Sequence, residues 1–130
     1  MMRPVRASAL MALLLAFSLA GCTASNRPAT PDGKLFLTID LQVQPHSMDE
    51  FLAVMIPAAR DTRAWDGCLL FDIYVDQNMP GHVVFYEIWD SKAQQQAYLA
   101  WRQQTNFNAQ IAPFMAEGGG GLTYFDKVDG

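Results

Sequence analysis

The sequence predicts one α+β domain, in which two helices cover one face of an antiparallel four-stranded sheet. Three observations support this fold class. Segments with the period of a strand alternate apolar and polar residues, two serine-led tetrapeptides mark helix starts, and the elements follow the order strand, helix, strand, strand, helix, strand. This order is the split βαβ arrangement, which places both helices on the same side of the sheet.

The first predicted strand covers residues 35–44, where every second residue is apolar. One face carries Leu35, Leu37, Ile39, Leu41 and Val43, and the other carries Phe36, Thr38, Asp40, Gln42 and Gln44. The first helix then begins at a capping box, in which a serine hydroxyl and a glutamate carboxylate bind free backbone amides. The box is Ser47-Met48-Asp49-Glu50.

The first helix is expected to kink at Pro57 and to end at Trp65-Asp66-Gly67. The residues at helical spacing that it should bury are Phe51, Val54, Met55 and Ala58. Residues 68–76 and 82–89 are the next two strands, and Asn78-Met79-Pro80-Gly81 is the turn that joins them into a hairpin. The apolar face of the first of these strands should carry Leu69, Phe71, Ile73 and Val75.

A second capping box, from Ser91 to Gln94, begins the second helix. The sequence is compatible with a helix as far as about Met115, and one side should present Ala97, Tyr98 and Trp101. The glycine run 118–121 is expected to stop the helix and form a plain loop, although such a run could also open as a lid. A short last strand is predicted at residues 122–128.

These elements together predict a ferredoxin-like sandwich with helices on one face of the sheet. The other face also carries apolar residues, and nothing in the sequence covers it. A second copy of the chain is the simplest cover. The sequence therefore predicts a homodimer joined sheet to sheet, a dimeric α+β barrel.

The N-terminus has the layout of a secretory signal. Arg3 and Arg6 precede an apolar run at residues 9–19, and Ala20-Gly21 closes it with small residues. This run is shorter than the roughly 20 residues that a transmembrane helix needs. Residues 1–21 are therefore predicted to be a cleaved signal peptide. The 109 residues that remain of the 130 suffice for one domain, which is predicted at residues 34–130.

The string Leu19-Ala20-Gly21-Cys22 resembles the lipobox of bacterial lipoproteins, whose cysteine is acylated after cleavage. The resemblance implies that Cys22 carries lipid and anchors the chain to a membrane. Residues 22–33 are polar and contain prolines, which predicts a flexible tether. Thr23, where an aspartate would resemble an inner-membrane retention signal, favours the periplasmic face of the outer membrane in a Gram-negative cell.

Charge and cysteine content narrow the function further. Two of the nine basic residues lie in the predicted signal, so seven basic residues remain against thirteen acidic ones. This balance offers no basic patch, and nucleic acid is therefore not expected as a partner.

Cys68 would be the one remaining thiol and cannot form an internal disulfide. It is either a small buried hydrophobe or a reactive nucleophile, and its apolar neighbours favour the first interpretation.

Two strings resemble the antibiotic biosynthesis monooxygenase family over residues 34–128. The first is the turn Trp65-Asp66-Gly67-Cys68 before the second strand, and the other is Glu87-Ile88-Trp89, which ends the third strand directly before a capped helix. One position departs from the pattern. Many members place a histidine nine residues after that tryptophan, whereas this chain has Tyr98, which argues against a histidine-dependent mechanism or haem ligation.

The resemblance implies oxidation of a small aromatic or quinol-like molecule by O₂, without metal or flavin, because the deprotonated substrate supplies the electrons. Trp89 would then face the cleft between sheet and helices and donate from its indole, and Tyr98 would donate from its hydroxyl. Asp40 is the candidate base. Each also has a structural interpretation: core packing for Trp89 and Tyr98, and an exposed sheet position for Asp40.

Several other side chains have less specific expectations. His46 and His82 are expected to serve in turns or at the surface, and Glu87 to bind nearby backbone amides. Arg102 would either attract an anionic substrate or pair with a carboxylate. Two further functions stay open for the chain, a non-catalytic dimeric module that binds a small ligand and a haem-handling protein.

Overall fold

The computed structural model describes residues 33–130. The predicted signal peptide, Cys22 and the tether up to residue 32 lie outside the described residues. Within them no helix is long and apolar enough to cross a bilayer. The four strands are β1 (Leu35–Val43), β2 (Cys68–Val75), β3 (His82–Trp89) and β4 (Met115–Phe125), and the three α-helices are α1 (Met48–Ala64), α2 (Lys92–Gln104) and α3 (Phe107–Ile111).

The strands form one sheet in the order β2-β3-β1-β4, and all neighbouring strands are antiparallel. The two central strands, β1 and β3, pair over their whole length, from Leu35 opposite Trp89 to Gln42 opposite His82. This topology confirms the predicted α+β fold with a split βαβ arrangement.

The main core lies between α1 and the sheet. Val43 on β1 and Val83 on β3 are fully buried in this core, and Leu37 and Trp89 are fully buried farther along the same two strands. These positions confirm the predicted alternation of both strands. The α1 residues that are buried are Phe51, Met55, Ala58, Ala59 and Thr62, whereas Val54, which was also expected inside, is only half-buried. Pro57 lies on the exposed side within one continuous helix.

The two predicted helix starts differ in the structure. Ser91 accepts a hydrogen bond from the Gln94 amide at 3.2 Å, which confirms the second cap. The first capping box does not form, because the Ser47 side chain makes no cap bond. A 3₁₀ turn, Pro45–Ser47, leads directly into α1 instead, and the Ser47 amide donates to the Gln44 carbonyl.

One strand position was predicted on the wrong face. Cys68 pairs with Trp89 and Leu70 with Ile88, so Leu69 is the extra residue of a β-bulge. Leu69 is 50% exposed, while the residues on either side of it keep their pairing. The alternation in the sequence continues through Leu69, but the bulge interrupts the pleat there and removes Leu69 from the face of Phe71.

The prediction for the glycine run was wrong. Residues 118–121 lie inside β4, which begins at Met115, where the sequence had suggested the end of a helix. The register of β4 on β1 shifts between Leu41 and Val43, and Gly119 lies against Gln42 at this irregularity. The prediction of one helix continuing to about Met115 was also wrong. The helix α2 ends at Gln104, and Asn106, whose φ is 54°, interrupts the chain before the short α3.

Candidate active site

A second cluster of buried aromatic residues lies between the sheet and α2, beside the main core. Trp89, at the end of β3, and Tyr98, on the inner side of α2, are both buried and pack with Leu37. Their ring centroids are 5.1 Å apart at an interplanar angle of 36°. The structure thus brings together the two aromatic residues that the sequence had selected, while Ala97, expected beside Tyr98, is exposed.

Glu87 is the buried carboxyl of this cluster. It is 2% exposed, and its Oε2 accepts a hydrogen bond of 2.7 Å from the Trp89 indole nitrogen. The two side chains point the same way because they lie two residues apart on β3. Burial raises the pKa of the Glu87 carboxyl above its ordinary value of 4.5, and the hydrogen bond from Trp89 opposes that shift. A desolvated carboxylate of this kind is a stronger proton acceptor than one in water.

The Tyr98 hydroxyl belongs to a network between α1 and α2. It lies 2.7 Å from Thr62 Oγ1, and Arg102 Nε donates to it at 2.8 Å. Thr62 gives its one hydroxyl proton to the Ala58 carbonyl, so Tyr98 is the donor to Thr62. Burial raises the pKa of Tyr98, against the opposing effect of these hydrogen bonds. The phenol is therefore neutral, and its O–H donates a hydrogen bond to Thr62 Oγ1.

Arg102 closes the network from the solvent side. Its Nη2 donates to the Ala58 carbonyl at 2.7 Å, and its guanidinium lies over the rings of Trp101 and Phe107 at 4.6 and 4.5 Å from their centroids. A groove of about 310 Å³ between α1 and the α2–α3 segment reaches these residues from outside. Arg102 therefore places a positive charge in the lining of this groove, beside the rings of Trp101 and Phe107, and links the groove to the Tyr98 hydroxyl.

Cys68 borders the cluster from the first position of β2, opposite Trp89. Its thiol is half-buried and makes one long contact, 3.7 Å, to the Leu70 carbonyl. Burial, and then the neighbouring Glu87, raise the pKa of this thiol, which therefore stays protonated. The environment favours the interpretation of Cys68 as a small hydrophobic residue rather than a nucleophile.

Asp40 does not join the cluster. It lies on the opposite face of the sheet, as its neighbours Phe36 and Thr38 on β1 had indicated, and its Oδ1 binds His82 Nε2 at 2.9 Å. His82 Nδ1 binds Asp76 Oδ2, also at 2.9 Å. Since both nitrogens face carboxylate oxygens, which only accept, the imidazolium form of His82 satisfies both contacts and links β1, the hairpin turn and β3.

This carboxylate–imidazolium–carboxylate group makes stability depend on pH. The hydrogen bonds to Asp76 and then Asp40 raise the pKa of His82 above 6.5, so its stabilisation is complete below pH 6.5 and is lost as the pH rises through the higher value. The hydrogen bond from His82 lowers the pKa of Asp76 below 3.8, so that contribution is lost only in stronger acid.

The variant His82→Gln is therefore expected to melt below the wild type by the largest margin between about pH 4 and 6.5, and by a shrinking margin towards pH 9. Thermal unfolding measured by circular dichroism across this range tests the sign. His46→Gln, in an exposed turn, is the matched control and should show no such dependence. A margin that grows with pH would contradict the assignment.

Sequence reasoning missed the part played by Glu87, which was expected to bind backbone amides and instead binds the Trp89 indole. The alternation of β3 already placed both side chains on one face, and this was the available signal. Thr62 gave none, because nothing in the sequence links it to Tyr98 across 36 positions. Among the described residues, no group of three or more His, Cys, Asp or Glu side chains is arranged to bind a metal ion.

Comparisons with known proteins agree with this architecture. The family model described as antibiotic biosynthesis monooxygenase matches residues 35–112. A Caulobacter crescentus structure that carries this family name is 24% identical and has a TM-score of 0.68, covering 75% of this chain and 92% of its own. Another structure, named antibiotic biosynthesis monooxygenase, is 27% identical with a TM-score of 0.65 and covers 73% and 99%.

A third solved structure, from Mycobacterium tuberculosis, is 20% identical with a TM-score of 0.64 and covers 75% of this chain and 97% of its own. The search of curated proteins gives no match. The family model spans well over half of the chain, and its match ends within the segment that follows α2. The chain therefore belongs to the antibiotic biosynthesis monooxygenase family.

Proposed function

We propose that this protein is a lipid-anchored monooxygenase that oxidises a small aromatic or quinol-like molecule with O₂ and no metal or flavin. The observation that carries the proposal is the buried Glu87–Trp89 pair, packed against Tyr98 at the position where many family members have a histidine. A desolvated carboxylate beside two aromatic rings suits a reaction whose first step removes a proton from a flat apolar molecule.

The proposed reaction needs only a proton acceptor and O₂. With an anthrone-type substrate, Glu87 takes a proton from the activated CH₂ group, and the resulting carbanion supplies the electrons that reduce O₂. One oxygen atom becomes the new carbonyl oxygen of the product, and the other leaves as water with the two hydrogens of the CH₂ group. Trp89 positions Glu87 through its indole N–H, and Arg102, through Tyr98, adds positive charge near the developing anion.

This assignment replaces Asp40 by Glu87 as the base. Asp40 is separated from Trp89 and Tyr98 by the sheet itself and is held by His82. Glu87 lies on the same strand face as Trp89 and is nearly inaccessible to water, and this burial raises the pKa of its carboxyl.

O₂ uptake with a panel of anthrones, quinols and phenols tests the proposal. We expect uptake by the wild type with at least one of them, and a decrease of about tenfold or more for Tyr98→Phe, because Arg102 Nε then loses its acceptor. The exposed Tyr74, at the edge of the sheet, provides the matched control Tyr74→Phe. Ligand binding without any uptake would instead favour the non-catalytic binding module, and a Soret shift with haemin would favour a haem-handling protein.

The membrane anchor and the dimer belong to the same proposal. The face of the sheet opposite the helices carries Phe36, Tyr86, Ile88 and Phe125 around a hollow of about 440 Å³, and no helix within residues 33–130 covers it. A second copy of this face is the proposed cover. The lipid on Cys22 would hold the dimer close to a membrane surface, where apolar quinol-like substrates concentrate.

Replacement of Cys22 by alanine separates the anchor from the fold. The variant Cys22→Ala should leave the membrane fraction and sediment as a soluble, folded dimer, because it loses the acylated side chain and keeps the domain unchanged. Cell fractionation followed by analytical ultracentrifugation measures both properties. Cys68→Ala is the matched control and should stay with the membrane; retention of the Cys22 variant there would show that something other than lipid holds the protein.

A further inference from the structure

Gln95 is a buried amide without a partner. It lies on the inner side of α2, one turn before Tyr98 and two turns before Arg102, and it is 0% exposed. Neither its Oε1 nor its Nε2 makes a hydrogen bond, and among residues 33–130 it is the one side chain with buried polar atoms in this condition. A buried amide that has lost water and gained no partner destabilises a fold, so its retention calls for a reason.

We propose that the Gln95 amide is the recognition group for a hydroxyl on the bound aromatic substrate. This inference rests on the proposed function and specifies its substrate class. An amide offers two N–H donors and one acceptor. A phenolic or quinol hydroxyl is complementary to it, since the hydroxyl donates to Oε1 and accepts from Nε2, whereas a bare hydrocarbon leaves both atoms unpaired and a carboxylate satisfies only the donor.

The position of Gln95 fits this task. Side chains three apart on a helix are neighbours, so the buried Gln95 side chain emerges from α2 next to Tyr98, whose ring packs 5.1 Å from the Trp89 ring. Trp89 in turn holds Glu87. A hydroxyl bound by Gln95 would therefore anchor one end of a flat ligand beside the aromatic pair. Glu87 stays free to take a proton from another position of the same ligand.

The helix-side face of β4 provides the approach. Leu122 and Tyr124 are 47% and 43% exposed, although their partners Ile39 and Leu37 on β1 point towards the helices. The Lys92 ammonium lies 5.3 Å above the Tyr124 ring and is the first α2 residue at this edge. An apolar strip thus leads from solvent to Leu37, which is fully buried and packs with Trp89 and Tyr98.

Binding under nitrogen to the full-length protein tests the inference, with 2-naphthol and naphthalene as the probes. The variant Gln95→Met keeps the length of the side chain and removes its polar atoms. We expect at least a tenfold loss of affinity for 2-naphthol and less than a twofold change for naphthalene. The ligand-free variant should also melt at a higher temperature than the wild type, because the unpaired amide is gone.

The neighbouring Gln96 is exposed, so Gln96→Met is the matched control and should change none of these values. Equal losses of affinity for both probes, or no loss for either, would overturn the assignment. A lower melting temperature for the Gln95 variant would also overturn it, because it would show that an internal partner such as a trapped water binds the amide. Hydroxyl-selective binding without O₂ uptake would support the inference and count against the proposed oxidation. O₂-dependent oxidation, together with a 2-naphthol affinity that does not depend on Gln95, would support the proposed oxidation and overturn the inference about Gln95.

Discussion

Replacement of Glu87 by glutamine is expected to lower kcat/KM for O₂-dependent oxidation by about 10²- to 10⁴-fold, because glutamine cannot accept the substrate proton. The substitution is nearly isosteric, and the glutamine oxygen can still accept the hydrogen bond from the Trp89 indole. The fold should therefore be retained, and circular dichroism with thermal unfolding checks this independently of the rate.

The matched control is Glu117→Gln on the exposed side of β4. It makes the same chemical change away from the cluster and should leave kcat/KM within about twofold. The pH profile gives a second reading. Burial raises the pKa of Glu87 above 4.5, so wild-type kcat/KM should fall on the acid side with a midpoint above that value, and this limb should be absent from Glu87→Gln. Unchanged kinetics in Glu87→Gln would remove Glu87 as the base.

Replacement of Gly119 by alanine is expected to have the largest effect on stability of any single methyl addition in β4. A Cβ at this position would overlap the Gln42 Cβ and would lie 3.0 Å from the Gln42 Cα and backbone nitrogen. Two strands cannot keep their spacing with this overlap, so the pairing of β4 with β1 must shift. A destabilisation of about 1–3 kcal/mol follows from such overpacking, measured by urea unfolding.

Gly121, two residues along the same strand, supplies the control. A Cβ there meets nothing within 4 Å, and its backbone is not restricted to glycine. Gly121→Ala should change the free energy of unfolding by no more than about 0.5 kcal/mol. Equal effects at the two positions would show that the close approach to Gln42 is not what requires glycine at position 119.

Local patterns in the sequence predicted most of the fold correctly. Alternation over β1 and β3 identified both central strands and their buried faces, because each side chain on a pleated strand points opposite to the next. The Ser91 cap fixed the start of α2, because its hydroxyl binds an amide only three residues away. The order of the elements then left few topologies with both helices on one side of the sheet.

Interactions between distant segments explain the errors. The bulge at Leu69 depends on how β2 pairs with β3, and the strand conformation of the glycine run depends on Gln42, 77 positions earlier. Taken by itself, a glycine run indicates a break in regular secondary structure, because glycine has more backbone freedom than any other residue. Only the contact with β1 shows why glycine is needed at position 119, where a Cβ would prevent the close approach to Gln42.

The candidate site divides in the same way. The sequence was enough to place Trp89 at the end of the third strand and Tyr98 nine residues later in the second helix, and to put Glu87 and Trp89 on one face of β3, because these properties depend on residue identity and strand period. Other properties depend on how the elements pack. Asp40 lies on the other face of the sheet and binds His82. Thr62 and Arg102 bind the Tyr98 hydroxyl, and Glu87 and Gln95 are buried away from water. The pKa of a carboxyl, and whether an amide has a hydrogen-bond partner, depend on burial and on side-chain contacts. Both arise only when strands and helices from distant parts of the chain pack together.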